Sequence, residues 1–121
     1  MKKILIAEDD KFLSSAYRFK LTKAGFDVQI VGDGAELLTN MGIRMPDLIL
    51  LDLVMPVMDG FTTLESIRSN PRYKTIPIIV ASNLGQKEDI DRTKELGATD
   101  FVVKSDMSLD SLIEKINKLV S

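Results

Sequence analysis

Residues 48–60, LILLDLVMPVMDG, place one carboxylate, Asp52, directly after four consecutive aliphatic residues. An uninterrupted aliphatic run of this length is typical of a parallel strand that is buried on both faces. A carboxylate at the end of such a strand is costly to bury unless a cation or hydrogen-bond donors lie beside it. The stretch therefore predicts a buried parallel sheet and a set of charged partners around Asp52.

Short β-rich runs alternate with amphipathic stretches on both sides of this strand. Strands are expected at residues 3–7, 27–31, 47–52, 76–82 and 100–104. Helices are expected at 11–24, from a capping box at Asp33 and Glu36 through residue 41, and at 61–69, 87–96 and 109–120. The helix at 87–96 has a thin apolar face and is expected to be the least firmly anchored.

This alternation predicts the fold. Five strands alternating with five helices require right-handed βαβ crossovers and an α/β architecture. For a chain of 121 residues we expect a single domain, 1–121, with a flavodoxin-like (βα)5 doubly wound fold. Its five-stranded parallel sheet would have the order 2-1-3-4-5, with helices on both faces.

Composition excludes several classes of function. A formal net charge of -2 gives no reason to expect direct binding to nucleic acid or to a membrane surface. Cysteine and histidine are absent, which excludes disulfides, thiolate metal sites, an imidazole base and a histidyl phosphoryl carrier. The opening residues, MKKILIAEDD, have too short an apolar run for a secretory signal, so a cytoplasmic location is expected.

Polar residues stand at the predicted carboxyl ends of four strands, where doubly wound sheets bind their ligands. They are Glu8, Asp9 and Asp10 after the first strand, Asp52 after the third, Ser82 in the fourth and Lys104 in the fifth. Each has an ordinary explanation alone, as a solvated loop residue, a strand end or, for Asp10, a helix cap. Their occurrence together at one edge of the sheet indicates a site.

The chemistry of such a site follows from charge. The carboxylates of Glu8, Asp9 and Asp52 would repel one another, and one would take up a proton unless a cation intervened. Lys104 can offset one charge. Mg²⁺ can offset the rest, because it prefers one or two carboxylates plus waters and leaves coordination positions for phosphate oxygens. Since aspartate is a recognised nucleophile that forms aspartyl phosphates, the pattern predicts a phosphoryl-accepting site.

Four motifs in combination resemble the receiver domains of two-component response regulators, the CheY-like superfamily. They are ILIAEDD (4–10), LLDLVMPVMDG (50–60), PIIVAS (77–82) and GATDFVVK (97–104). The resemblance covers essentially the whole chain. It implies that Asp52 accepts a phosphoryl group from a sensor histidine kinase or a histidine phosphotransfer protein. It also implies a signalling domain rather than a turnover enzyme, one that promotes its own phosphorylation and dephosphorylation.

The resemblance further implies how the site is divided among its residues. Asp9, Asp52 and the backbone carbonyl of Val54 would hold Mg²⁺, while Glu8 would act mainly through a coordinated water. Ser82 and Lys104 would each contact a phosphoryl oxygen.

The resemblance also implies a switch. Ser82 and Phe101 would form it and change the surface of the fourth helix, fifth strand and fifth helix, which a downstream effector protein or domain recognises. The chain would be a monomer or a weak, phosphorylation-dependent dimer.

The sequence departs from the family pattern at a few positions next to the site. Ser105 stands where proline is usual, so we expect a trans Lys104–Ser105 peptide with a rearranged loop, or a strained cis peptide. Asn83 stands where a small alanine is usual and is expected to crowd the phosphoryl group or to form a hydrogen bond there. Val54 and Leu84 are apolar, which predicts slow hydrolysis of the phosphorylated state. Phe101 lacks the hydroxyl of the commoner tyrosine.

Three other functions are compatible with this fold class. A phosphatase of the haloacid-dehalogenase type would have a second acid two residues after Asp52, where this chain has Val54. A flavin-binding electron carrier would have a hydroxyl- and glycine-rich loop after the first strand, where this chain has acids. The serious alternative is a non-phosphorylated pseudo-receiver that acts as a protein-docking module.

Overall fold

The computed structural model describes residues 1–120, and Ser121, the last residue of the expected domain, lies outside them. The strands are β1 (Lys3–Ala7), β2 (Asp27–Val31), β3 (Leu48–Leu51), β4 (Ile78–Ser82) and β5 (Asp100–Val103). The α-helices are α1 (Lys11–Lys23), α2 (Gly34–Ile43), α3 (Gly60–Ser69), α4 (Lys87–Glu95) and α5 (Leu109–Val120). Short 3₁₀ helices at Pro71–Tyr73 and Lys104–Asp106 were not predicted. None of the helices within 1–120 combines the length and apolarity needed to cross a bilayer.

The five strands form one parallel sheet in the order β2-β1-β3-β4-β5. Side chains of β3 alternate between two apolar clusters, with Ile49 and Leu51 in one and Leu48 and Leu50 in the other. The first cluster includes residues of α2 and α3, and the second includes residues of α1 and α5. The predicted flavodoxin-like fold, with helices on both faces, is confirmed.

Two strand boundaries differ from the prediction in ways that affect the site. β3 ends at Leu51, so Asp52 lies immediately beyond the last paired residue of the strand. β5 ends at Val103, because the chain turns into a 3₁₀ helix at Lys104. Asp52 and Lys104 therefore both lie just beyond the carboxyl ends of their strands, where their side chains can approach each other.

Side-chain caps fix the helix starts that the sequence predicts. Asp10 Oδ1 accepts hydrogen bonds from two backbone N–H groups in the first turn of α1, at 2.9 and 3.1 Å. Ser108 Oγ caps α5 by accepting from a first-turn N–H at 3.1 Å. At α2, Asp33 accepts from the Glu36 N–H, but Glu36 accepts from Gly32 rather than from Asp33, so the capping box is shifted by one residue.

Helix α4 is weakly anchored, as expected. Thr93 is its one buried residue, and its start has no side-chain cap. The Arg92 guanidinium lies 4.1 Å from the centre of the Phe61 ring, a cation–π contact that joins α4 to α3. Because α4 buries so little, it is the helix of this fold that can shift at the lowest cost.

Gly60, the first residue of α3, lies directly against the backbone that follows β3. A Cβ atom at this position would overlap the Asp52 carbonyl oxygen and come within 2.6 Å of Leu53 Cα. The Gly60 N–H also donates to the Leu53 carbonyl at 2.9 Å. The absence of a side chain at Gly60 therefore allows α3 to begin this close to Asp52.

We expect Gly60→Ala to lower the free energy of unfolding by about 1–3 kcal/mol, because the new methyl group must displace backbone atoms. The control is Gly42→Ala in α2, where an added Cβ meets nothing within 4 Å. That substitution should raise the free energy of unfolding by up to about 1 kcal/mol. Urea unfolding of both variants measures the difference, and a Gly60→Ala variant as stable as the wild type would contradict the close contact.

Candidate functional site

Three acidic side chains converge at the carboxyl ends of β1 and β3. One carboxylate oxygen from each of Glu8, Asp9 and Asp52 lies within 4.8 Å of the other two. Glu8 and Asp52 are only 4% and 6% exposed, whereas Asp9 is open to solvent. The β1–β3 pairing accounts for this convergence, because it places the residues after Ala7 and Leu51 side by side. The structure thus brings together the acids that the sequence predicted as a cluster.

The two oxygens of Asp52 have different environments. Oδ1 accepts a hydrogen bond from the Leu53 N–H at 2.8 Å and a longer one from the Val54 N–H at 3.4 Å. Oδ2 lies 3.1 Å from Lys104 Nζ. Asp52 is also fixed through its own N–H, which donates to the Ala7 carbonyl of β1 at 3.1 Å. Backbone donors therefore hold one oxygen, while the other faces the lysine.

Lys104 bridges two of the carboxylates. Its Nζ lies 2.5 Å from Glu8 Oε1 and 3.1 Å from Asp52 Oδ2, and its side chain is only 14% exposed. The second Glu8 oxygen, Oε2, accepts from the Asp10 N–H at 3.1 Å. The Lys104 ammonium is thus the cation that the sequence predicted beside Asp52, and it also pairs with Glu8.

The ionisation of this group is set by burial and by mutual contact. Burial raises the pKa of the Glu8 carboxyl, and the hydrogen bond from Lys104 offsets only part of that effect. Burial alone would lower the pKa of Lys104, but its hydrogen bond to Glu8 and the charge of Asp52 outweigh burial and raise that pKa. Lys104 is therefore a cation at neutral pH. The Glu8 carboxyl takes up a proton at a higher pH than an ordinary glutamate does, because its pKa is raised.

A small cavity of about 160 Å³ opens beside Asp52. Its lining residues are Asp52, Val54, Ser82, Asn83, Leu84 and Lys104. Ser82, the buried last residue of β4, uses Oγ to accept from the Leu84 N–H at 3.1 Å, which leaves its own O–H free to donate. The cavity thus combines a carboxylate, an ammonium and a hydroxyl donor with two apolar walls.

The loop after Asp52 contains a backbone feature that the sequence did not predict. Val57 has a φ of 66°, a value that β-branched residues rarely adopt. The Met58 N–H donates to the Pro56 carbonyl at 2.7 Å across it, which makes a tight γ-turn. Val57 is 83% exposed, so its side chain gains little from packing to compensate for the conformation. Pro56 and Gly60 do signal a shaped loop, but a valine in this conformation has no sequence signal.

A second feature without a sequence signal is the environment of Tyr17 in α1. The sequence places Tyr17 only within the helix predicted at 11–24. It is 1% exposed, and its hydroxyl has no hydrogen-bond partner among the described residues. Burial, and then the charges of Glu8, Asp52 and Asp10, raise its pKa, so the phenol stays neutral beside the acidic cluster.

Asn83 and Ser105, two residues that depart from the family pattern, are in contact with each other. No cis peptide bond occurs in the described part of the chain, and residues 104–106 form a 3₁₀ turn, as in the first of our two expectations. Asn83 Oδ1 accepts a hydrogen bond from the Ser105 N–H at 3.0 Å.

Phe101, the aromatic residue of the expected switch, lies on the face of the sheet that α2 and α3 cover. It lies in β5, partly buried, and packs against the apolar cluster on the α2–α3 face of the sheet. Its role as a switch with Ser82 stays a prediction.

We expect Lys104→Gln to lower the free energy of unfolding by about 3 kcal/mol at pH 8, because two buried carboxylates lose their cation. The loss of stability should be smaller at pH 5 than at pH 8, because Glu8, with its raised pKa, binds protons in the folded state at a higher pH than an ordinary glutamate does. In the wild type, the stability that Lys104 contributes is present below its ordinary pKa and is lost as the pH rises through the raised one.

The matched control for this prediction is Lys115→Gln. Lys115 pairs with Asp100 at 2.8 Å, but both side chains are substantially exposed, so the loss should stay below about 1 kcal/mol at either pH. Urea unfolding at both pH values measures all three proteins. A loss for Lys104→Gln that is no larger than the control's would contradict the buried ion pair.

Comparison with known sequences gives a family and relatives. The sequence profile of the response regulator receiver domain matches residues 4–117. The DNA-binding dual master transcriptional regulator RpaA of Synechocystis sp. is 33% identical over 120 residues, which are 99% of this chain and 49% of that protein. The chain spans half or less of the length of these curated relatives, from 49% down to 14%.

Comparison with solved structures gives the same family. The receiver domain of the Francisella response regulator 1452 has a TM-score of 0.91 at 30% identity, covering 99% of this chain and 97% of the other. The Mn²⁺-bound form of response regulator Rcp1 has a TM-score of 0.84 at 28% identity, covering 98% and 91%. The matches agree with the motifs, the sheet order and the acidic cluster described above. This chain belongs to the response regulator receiver domain family of two-component signalling.

Proposed function

We propose that this chain is a single receiver domain, 1–121, that accepts a phosphoryl group on Asp52 from a sensor histidine kinase or a histidine phosphotransfer protein. One observation supports the proposal above all others. The Asp52 carboxylate lies at a cavity that also contains the Lys104 ammonium and the Ser82 hydroxyl, with two further acids beside it. A carboxylate that can act as a nucleophile thus lies close to two groups that can bind phosphoryl oxygens and to further acids that can bind a cation.

The acidic cluster supports a requirement for Mg²⁺. Glu8, Asp9 and Asp52 offer oxygen ligands within 4.8 Å of one another. Lys104 pairs with Glu8 and Asp52 and can neutralise only a single charge. We propose that Asp9, Asp52 and the Val54 carbonyl hold the ion and that Glu8 acts through a water. When bound, Mg²⁺ neutralises the remaining carboxylate charge and stabilises negative charge on the transferred group. The Mn²⁺-bound form of the similar protein Rcp1 supports a divalent-cation site in this fold.

The environments of the two Asp52 oxygens indicate how transfer would proceed. Oδ1 is held by backbone donors, so Oδ2, which faces the lysine, is the proposed nucleophile. Oδ2 attacks phosphorus in line, a P–O bond forms, and the P–N bond to the donor imidazole breaks. Lys104 then pairs with a phosphoryl oxygen in place of Oδ2, and Ser82 donates its O–H to another.

Output is proposed through the weakly anchored α4, together with β5 and α5. Phosphorylation adds roughly 1.5 to 2 negative charges beside Ser82. Movement of Ser82 toward them, with repacking of Phe101, would bias this surface between two states that a downstream effector protein or domain distinguishes. We propose a cytoplasmic location, no direct contact with nucleic acid or membrane, and a monomer or a weak dimer that forms on phosphorylation.

Incubation with acetyl phosphate and Mg²⁺, followed by intact mass measurement, tests the proposal. We expect one phosphoryl adduct on the wild type and none on Asp52→Asn, because an amide oxygen cannot replace the carboxylate nucleophile. Chelation of Mg²⁺ should prevent the adduct. A wild type that stays unmodified would contradict the proposal and favour the docking module instead.

A second expectation concerns the lifetime of the phosphorylated state. Val54 and Leu84 form the apolar part of the cavity wall, where a hydrolytic water would have to approach. We expect Val54→Asn to accelerate loss of the phosphoryl group, because an amide can hold that water by hydrogen bonds. Decay after removal of acetyl phosphate measures the rate, with Val57→Asn as a control in the same loop but outside the cavity lining. Equal decay rates for Val54→Asn and the wild type would contradict the expectation.

A further inference from the structure

One side-chain hydrogen bond joins the two loops that follow β4 and β5. Asn83 Oδ1 accepts from the Ser105 N–H at 3.0 Å. Asn83 comes directly after Ser82, and Ser105 comes directly after Lys104. The bond therefore links the residues adjacent in the chain to the hydroxyl and the ammonium that face the cavity.

Apart from the ion pairs of the Lys104 side chain with Glu8 and Asp52, the turn that contains Lys104 has few attachments to the rest of the fold. Residues 104–106 have no side-chain cap and none of the three is buried. The main-chain bond that closes the turn, from the Met107 N–H to the Lys104 carbonyl, is long at 3.3 Å. The β4–α4 loop lies close to the end of β5, since a Cβ on Gly85 would come within 3.1 Å of a Val103 methyl. A bond between these loops thus holds together segments that already approach each other.

We propose that Asn83 is a positioning residue that, through the Ser105 N–H, fixes the Lys104 turn relative to Ser82 for phosphoryl transfer. This inference rests on the proposed function. A proline at position 105 has no N–H to donate, so the two departures at positions 83 and 105 are one structural feature. Hydrogen-bond donors and cations that are already in place lower the free energy of the transition state for phosphoryl transfer, because the site need not rearrange as charge develops on the phosphoryl oxygens.

The expected effect is confined to phosphoryl transfer. Asn83→Ala removes the acceptor and should lower the second-order rate constant for phosphorylation by acetyl phosphate about threefold to tenfold, the range of a single neutral hydrogen bond. The Mg²⁺ affinity should change by less than about twofold, because the three acids follow β1 and β3 and make no contact with this bond. A general loss of structure would reduce both quantities.

Variants at position 105 provide the matched controls. Ser105→Ala keeps the backbone N–H and should have a rate constant like that of the wild type. Ser105→Pro removes the N–H, and the family resemblance indicates that a proline is accommodated there. Combining Asn83→Ala with Ser105→Pro should then give no further loss beyond Ser105→Pro alone.

Amide hydrogen exchange gives a readout that does not depend on phosphorylation. The Ser105 amide should exchange faster in Asn83→Ala than in the wild type, since it loses its acceptor. Equal exchange, a wild-type rate constant in Asn83→Ala, or an additive loss in the double variant would overturn the inference while leaving the proposed function intact. A wild type that accepts no phosphoryl group would overturn both.

Discussion

The site depends on the Lys104 ammonium, which lies between the carboxylates of Glu8 and Asp52. Both acids stand at the ends of strands buried on both faces, where unpaired charges would be strongly destabilising. The lysine follows β5 and reaches them across β4, so its placement depends on the order β1-β3-β4-β5 within the sheet. The same strand order therefore builds the apolar core and assembles the charged carboxyl edge.

The negative charge at this edge of the sheet is only partly neutralised by Lys104. The remaining negative charge accounts for the proposed cation binding and phosphoryl transfer. Glu8 and Asp52 share Lys104, while the third carboxylate, Asp9, is open to solvent. An oxygen of Asp9 lies within 4.8 Å of an oxygen of Asp52, which lines the cavity. An excess of buried negative charge attracts a divalent cation, and the cation makes the approach of an anionic phosphoryl donor tolerable.

The sequence predicted the features that arise from local patterns. The aliphatic run before Asp52 predicted β3, the capping residue Asp10 predicted the start of α1, and the alternation of strands and helices predicted the fold with its sheet order. The acidic cluster followed because parallel strands end at one edge. The bond from Ser105 to Asn83 depends on how two distant loops approach each other, which residue spacing does not specify. The γ-turn at Val57 and the shifted capping box at α2 are local, but the residue types there are compatible with more than one set of hydrogen bonds. Metal binding and the switch at Phe101 remain predictions.

Calorimetric titration with Mg²⁺ tests the central claim that the excess charge at this edge binds a cation. The wild type should show one saturable site, with affinity that falls as the pH decreases and Glu8, whose pKa is raised, takes up a proton. Asp9→Asn, which removes the exposed acid and leaves the Lys104 ion pairs intact, should lose that site. A wild type without saturable heat, or an Asp9→Asn variant that binds Mg²⁺ as the wild type does, would contradict the account.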